Sequence, residues 1–289
     1  MVCVLSKYRY LNTTDHNQKQ KIMKKLLMLF SMFSLAAFTV YGQTDDTYYQ
    51  DDQATVTVKA EVAPPPIPDY VQPPCPVEGD IWTPGYWYWN GTSYSWIPGV
   101  WVTPPSVGLL WTPGYWGFYG GYYGWHRGYW GTHIGYYGGV NYGFGYYGSG
   151  FYGGRWEGGR FMYNTAVWHV GRGVHNVYVD HTVVNNHVVN HASFNGPGGV
   201  KYRPSNTEVG GMHENHIEPA QNHVAHERNM STEKGQFHSP TTRPAVHSMS
   251  APGGQRFNQG GHAIHMGGGG GGHMGGGHAG GGGHGGGRH

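Results

Sequence analysis

The chain has 289 residues, of which 52 are glycine and only 12% are charged, and all eleven tryptophans fall between Trp82 and Trp168. One region can therefore build an aromatic core, while glycine tracts lose much backbone entropy on ordering and bury little in return. The formal charge of +2 comes from the front of the chain: beyond residue 42 there are twelve basic against fifteen acidic residues, near −3, which argues against nucleic acid as a partner, since that requires a basic patch.

In chain order, residues 1–22 read as an upstream extension ahead of the true initiator, Met23. Residues 23–42 form a secretory signal peptide: Lys24 and Lys25, an apolar run over 26–40, then Val40-Tyr41-Gly42 with cleavage before Gln43. That run is too short to span a bilayer. The residue directly after the cleavage point is Gln43 and not a cysteine that could carry a lipid. The expected localisation is therefore exported: periplasmic, outer-envelope-associated or secreted, with no membrane span in the mature chain. Residues 43–79 look like an acidic, proline-rich leader, with a short β-type run over 54–62 and a stiff polyproline spacer after it.

Residues 80–168 hold the Trp/Tyr/Gly-rich β-repeat domain. Trp82-Thr-Pro-Gly-Tyr-Trp87 recurs as Trp96-Ile-Pro-Gly-Val-Trp101 and Trp111-Thr-Pro-Gly-Tyr-Trp116, with a degenerate copy, Trp125-His-Arg-Gly-Tyr-Trp130. The spacing suits hairpin arms and is too short for helical repeats. Pairing Trp87 with Trp96 also pairs Trp82 with Trp101, around a turn at Asn90-Gly91. Pairing Trp116 with Trp125 pairs Trp111 with Trp130, around Gly120-Gly121. Residues 102–110 would then link two hairpins into an antiparallel meander. Trp82 and Trp87 are five apart, which puts them on opposite faces of a regular strand. Each Pro-Gly is therefore a β-bulge or a type II turn, and the bulge is favoured because an unprimed turn splays a hairpin. Residues 117–154 either extend the sheet or are low-complexity. Trp168 reads as separable from the repeat.

Residues 169–200 carry a short period-five β-repeat, with Val179, Val184, Val189 and Phe194 each followed by Asn or Asp. Residues 201–250 form a helix-containing linker whose helix runs over 218–230, and residues 251–289 a disordered His/Gly-rich tail. The fold class is thus mainly β: two Trp/Tyr-rich hairpins, a short β-repeat, one short helix and extensive disordered regions.

The stretch Tyr94-x-Trp96-x-x-Gly99-x-Trp101, with its neighbouring copies, resembles the YXWGXW-repeat proteins of bacterial envelopes. The resemblance implies an envelope location and carries no reaction or catalytic residue. The fourth copy departs from it, His126-Arg127 replacing the apolar-Pro pair.

Among chemical motifs, Gly143-Phe-Gly145-Tyr-Tyr-Gly148 matches GxGxxG only as one more glycine-rich stretch. His213-Glu214-Asn215-His216 and His223-Val-Ala-His226-Glu227 lack the spacings of zinc hydrolases. The chain is therefore expected to be no enzyme and to need no cofactor. Two binding readings stand. Trp82, Trp87, Trp96, Trp101, Trp111, Trp116, Trp125 and Trp130 form a core or a stacking platform for a glycan, envelope polymer or envelope protein. The alternative is a divalent-metal-binding protein, His262, His265, His273, His278, His284 and His289 offering weak Zn, Ni or Cu sites on glycine spacers.

Overall fold

The computed structural model describes residues 21, 23–25, 55–182, 190–233 and 245–264. The signal-peptide run, the acidic start of the leader, the centre of the period-five repeat (183–189) and the tail beyond 264 lie outside the described residues. Mainly β structure with short helices forms over the rest.

The first hairpin consists of strands β2 (Ile81–Thr83), β3 (Tyr86–Trp89), β4 (Tyr94–Ile97) and β5 (Val100–Val102). Trp82 faces Trp101 and Trp87 faces Trp96, and every pair along the hairpin has the same index sum, 183. The Asn90 side chain caps the turn by accepting from the Thr92 and Ser93 backbone N–H groups. The second hairpin repeats the plan with β6 (Leu110–Thr112), β7 (Tyr115–Phe118), β8 (Tyr123–His126) and β9 (Tyr129–Gly131), pairing Trp111 with Trp130 and Trp116 with Trp125.

The Pro-Gly steps are neither bulges nor turns. Because the index sum is unchanged across them, no strand gains a residue; both strands leave the ladder together, at Pro84-Gly85 opposite Pro98-Gly99. None of Gly85, Gly99, Gly114 and Gly128 adopts the left-handed backbone that a type II turn demands. What they supply is the missing Cβ. A Cβ on Gly99 would lie 2.6 Å from Cζ2 of Trp82, and one on Gly85 would overlap the Trp96 ring. Gly128 receives Trp111 and Gly114 receives Trp125 in the same way, each at 2.5 Å. The first Trp of each copy thus lies on the glycine of its partner copy, reciprocally.

The hairpins do not join edge to edge through residues 102–110, as a continuous meander would; they belong to separate sheets. Rings connect them instead. Tyr94 meets Trp116 edge-on at 5.4 Å, Tyr86 stacks on Trp125 at 4.8 Å, and the Trp116 indole donates to the Trp87 carbonyl at 2.9 Å.

The leader is not a free spacer. Strand β1 (Val56–Ala60) pairs antiparallel with β8. The proline stretch behind it has carbonyls that no ladder satisfies, and indoles supply the donors: Trp87 to Pro66 at 3.1 Å and Trp101 to Pro73 at 2.8 Å.

The Tyr/Gly-rich stretch is ordered, with β10 (Asn141–Gly143) paired to β11 (Tyr146–Tyr147). Tyr136, Tyr137, Tyr142 and Tyr146 are buried, and their hydroxyls donate to the carbonyls of Tyr202, Gly150, Gly114 and Trp82. Strands β12 (Gly154–Glu157) and β13 (Arg160–Asn164) form a further hairpin.

Within the period-five region, β14 (Val177–Tyr178) adds parallel to β13, and β15 (Phe194–Asn195) adds parallel to β7. These two described pieces serve different sheets and do not stack as solenoid rungs.

Among the described residues two helices follow rather than one. Helix α1 (Asn206–Met212) escaped notice behind Gly210 and Gly211, although Ser205-x-x-Glu208 forms a capping box at its start. Helix α2 (Gln221–Ser231) matches the expected helix within a few residues. Strands β16 (Ser248–Met249), β17 (Arg256–Phe257) and β18 (Ala263–Ile264) close the described chain.

Trp168 is not separable. Its ring meets Trp101 edge-on at 5.0 Å and its indole donates to the Phe144 carbonyl at 2.7 Å.

This packing makes three stability predictions, each read by denaturant titration. Gly114→Ala should cost about 1–3 kcal/mol through overpacking. Gly210→Ala, whose Cβ meets open space on α1, should instead stabilise by about 0.5–1 kcal/mol. Trp168→Ala should cost about 3–5 kcal/mol; a loss below about 1 kcal/mol would contradict its place in the core.

Candidate functional site

All eight repeat tryptophans are interior, at 0–9% exposure. They form the core and present no open stacking face. Trp87, Trp116 and Trp125 still line one wall of a cleft, and the accessible aromatic surface there comes from Tyr86, Tyr88 and Trp89, which are half-buried. The sequence signal for these three was available: β3 reads Tyr-Trp-Tyr-Trp, so Trp89 falls outside the repeat positions.

Of the proposed metal ligands, only His262 is described. It is exposed, its backbone N–H donates to Asn258 Oδ1 at 3.0 Å, and His265, His273, His278, His284 and His289 lie outside the described residues. Among the described residues no three His, Cys, Asp or Glu side chains converge as a metal site, and no helix is long and apolar enough to cross a membrane. The GxGxxG stretch is the β10–β11 hairpin, with Gly143 and Gly145 in the left-handed region, and not a strand leading into a helix.

The polar side chains gather at the divergent fourth copy. Arg127 stands where the other copies have Pro84, Pro98 and Pro113. The fold survives the change, since Gly128 still receives the Trp111 ring. The loss of proline frees that position to carry a charge.

Arg127 and Thr57 form a ridge between two clefts. One, of about 280 Å³, is lined by Val58, Tyr86, Tyr88, Trp89, Trp125 and Glu227. The other, of about 340 Å³, is lined by Thr55, Tyr115, Tyr129, Tyr136, His216 and Glu218 among others. In the second cleft His126 stacks on Tyr115 at 4.5 Å, contacts Thr55 Oγ1 through Nδ1 at 2.6 Å, and meets the Tyr119 hydroxyl through Nε2.

Helix α2 reads the equivalent corners of both hairpins with consecutive residues. His226 Nε2 donates to the Pro98 carbonyl at 2.9 Å, while Glu227 faces Arg127 at 3.5 Å. Position 98 in the second copy corresponds to position 127 in the fourth. One turn earlier His223 packs 4.8 Å from Trp111. Tyr86 also hydrogen-bonds Glu227, and burial, reinforced by that carboxylate, pushes its phenol well above the usual value.

Burial keeps His223 and His226 of α2, and His247, neutral. It lowers His223 to about 3, with His226 and Arg127 adding repulsion, and it lowers His226 as well, against a hydrogen bond to Pro98. Burial likewise takes His247 to about 4. Each is held below its unfolded value, so the unfolded chain binds more protons in acid. Stability should be fully present above pH ~6.5 and fall as pH drops toward ~4, by up to about 1.4 kcal/mol per pH unit for each such histidine. Thermal melts over that window check this, and His223→Leu should flatten the slope. An unchanged slope in that variant would contradict a neutral buried His223.

The comparisons with known proteins bear on the first hairpin alone. No curated protein and no solved structure matches the chain. Residues 81–102, which are β2 to β5 and their turn, match the family model of the WXXGXW repeat in two copies. One reciprocal pair of ring-on-glycine contacts is what two copies make, and residues 81–102 are two copies of the WXXGXW repeat within an aromatic-rich β structure.

Proposed function

We propose that this is an exported, non-catalytic protein of the bacterial envelope that binds a linear envelope polymer, a glycan in the first instance, along the clefts flanking Arg127. The observation that carries the reading is the paired geometry. Two clefts of about 280 and 340 Å³ share Thr57 and Arg127, so an extended chain crossing the ridge contacts both. Half-buried Tyr86, Tyr88 and Trp89 offer ring surface there, while the repeat tryptophans are consumed in holding the hairpins. Concave, largely aromatic surfaces with few polar groups are the usual form of a binding site. Export rests on the residues before Gln43, with Lys24 and Lys25 ahead of an apolar run.

Both halves of the proposal are testable in one preparation. Mass spectrometry of the protein from an expressing bacterium should find Gln43, or its cyclised form, at the N-terminus; a chain still carrying residues 26–40 would contradict export. The purified mature chain should sediment with insoluble peptidoglycan sacculi. Tyr88→Ala combined with Trp89→Ala should cut retention about tenfold, since stacking contacts of this kind are worth roughly 0.5–1.5 kcal/mol each. Retention unaffected by the double variant would contradict the cleft as the site.

A further inference from the structure

We infer that the ligand of the cleft beside Trp89 is an uncharged saccharide, held by hydroxyls that bridge Arg127 and Glu227. The inference rests on the polymer-binding reading above and specifies its chemistry.

Among the described residues, Arg127 and Glu227 are the only charged ones lining this cleft, and they are opposite in sign. They approach no closer than 3.5 Å, and their side chains remain 40% and 27% exposed. The pair is therefore loose and wet rather than a closed bidentate fork. A guanidinium has five N–H donors and a carboxylate about four acceptor positions, so most of the hydrogen-bonding capacity on both sides is open to a ligand. The Tyr86 hydroxyl and the α2 backbone hold Glu227 in place, leaving it oriented toward the cleft.

An ionic ligand gains little here. A carboxylate approaching Arg127 meets Glu227 at nearly the same distance, and an ammonium approaching Glu227 meets Arg127. At comparable separations the attraction and repulsion largely cancel. Neighbouring sugar hydroxyls face no such conflict, because one donates to Glu227 while the next accepts from Arg127. The C–H face of the ring then lies against Tyr88 and Trp89, as stacking on aromatic faces requires. Across the ridge, Thr55, Thr57, His216 and Glu218 line the second cleft, the Thr55 hydroxyl bonded to His126 and the Thr57 hydroxyl to the Trp125 carbonyl. The divergence of the fourth copy accounts for the site: a proline at position 127 offers no donor to either the ligand or Glu227.

The test uses the full mature chain and titrates three neutral hexasaccharides, of chitin, cellulose and laminarin type, against an oligogalacturonate and an oligolysine of similar length. The Trp89 indole N–H resonance reports occupancy in the unaltered protein, independently of any variant. At least one neutral hexasaccharide should shift that resonance and bind at least about tenfold more tightly than the uronate or the lysine oligomer. Its affinity should change less than about twofold with added salt, because no ion pair forms. Arg127→Gln and Glu227→Gln should each weaken it about tenfold, with near-ultraviolet dichroism confirming the fold. Tighter binding of the uronate, or a gain for it in Glu227→Gln, overturns the uncharged ligand and leaves the polymer-binding reading intact. Preference for oligolysine overturns the saccharide in favour of a cationic peptide. If all five oligomers fail while sacculi still retain the chain, the saccharide assignment is wrong. Failure with sacculi as well removes both readings.

Discussion

An indole laid on the bare backbone of a glycine across an antiparallel pair is the contact from which this fold is assembled. Trp82 on Gly99 and Trp96 on Gly85 are two halves of one arrangement, and neither copy makes it alone. That reciprocity explains the unit of the repeat and the constant register on both sides of an interrupted ladder. It also ranks the positions. Glycine is required because a Cβ has no room, whereas proline is replaceable, as Arg127 shows. The indole N–H groups of Trp82 and Trp96 are buried without a partner among the described residues, at a cost of about 1–3 kcal/mol each. Removing some 200 Å² of indole from water gains about 5 kcal/mol, so the ring contact wins.

A core made this way has short ladders and many backbone carbonyls left over. Rings with polar tips solve the problem. Indole N–H groups reach the Pro66 and Pro73 carbonyls, and phenols reach those of Gly114, Gly150 and Trp82. The proline leader becomes a wall of the domain because its carbonyls are the available acceptors. Acid sensitivity enters through the neutral imidazoles that α2 itself buries, His223 and His226.

The hairpin registers were legible because a constant index sum needs no knowledge of side-chain direction. Side-chain direction itself was not legible. Alternation separates inside from outside only when the two faces differ in polarity, and in Tyr86-Trp87-Tyr88-Trp89 every residue is aromatic. The repeat tryptophans therefore read equally well as core or platform, and the half-buried Tyr88 and Trp89 escaped notice. The Pro-Gly step was misread for a related reason: glycine in a strand suggests positive φ or a bulge, while here it marks a ring from the opposite strand. Helix α1 was missed because two glycines outweighed the capping box in its composition. The site is legible in hindsight as the place where a repeat breaks its own rule, at His126-Arg127. Glu227 and Thr57 come from far along the chain and nothing local announces them.

The binding chemistry proposed for Arg127 depends on that frame, since only a hairpin held without its proline can place a guanidinium between two clefts. The central claim is that the repeat glycine exists to receive its partner's ring, and a double-mutant cycle on Gly99 and Trp82 measures it most directly. If the ring is the obstacle, Gly99→Ala should be costly in the native background and at least about 1 kcal/mol less costly in the Trp82→Leu background. If the two costs add within about 0.5 kcal/mol, the glycine is needed for its backbone alone and the account of the repeat is wrong.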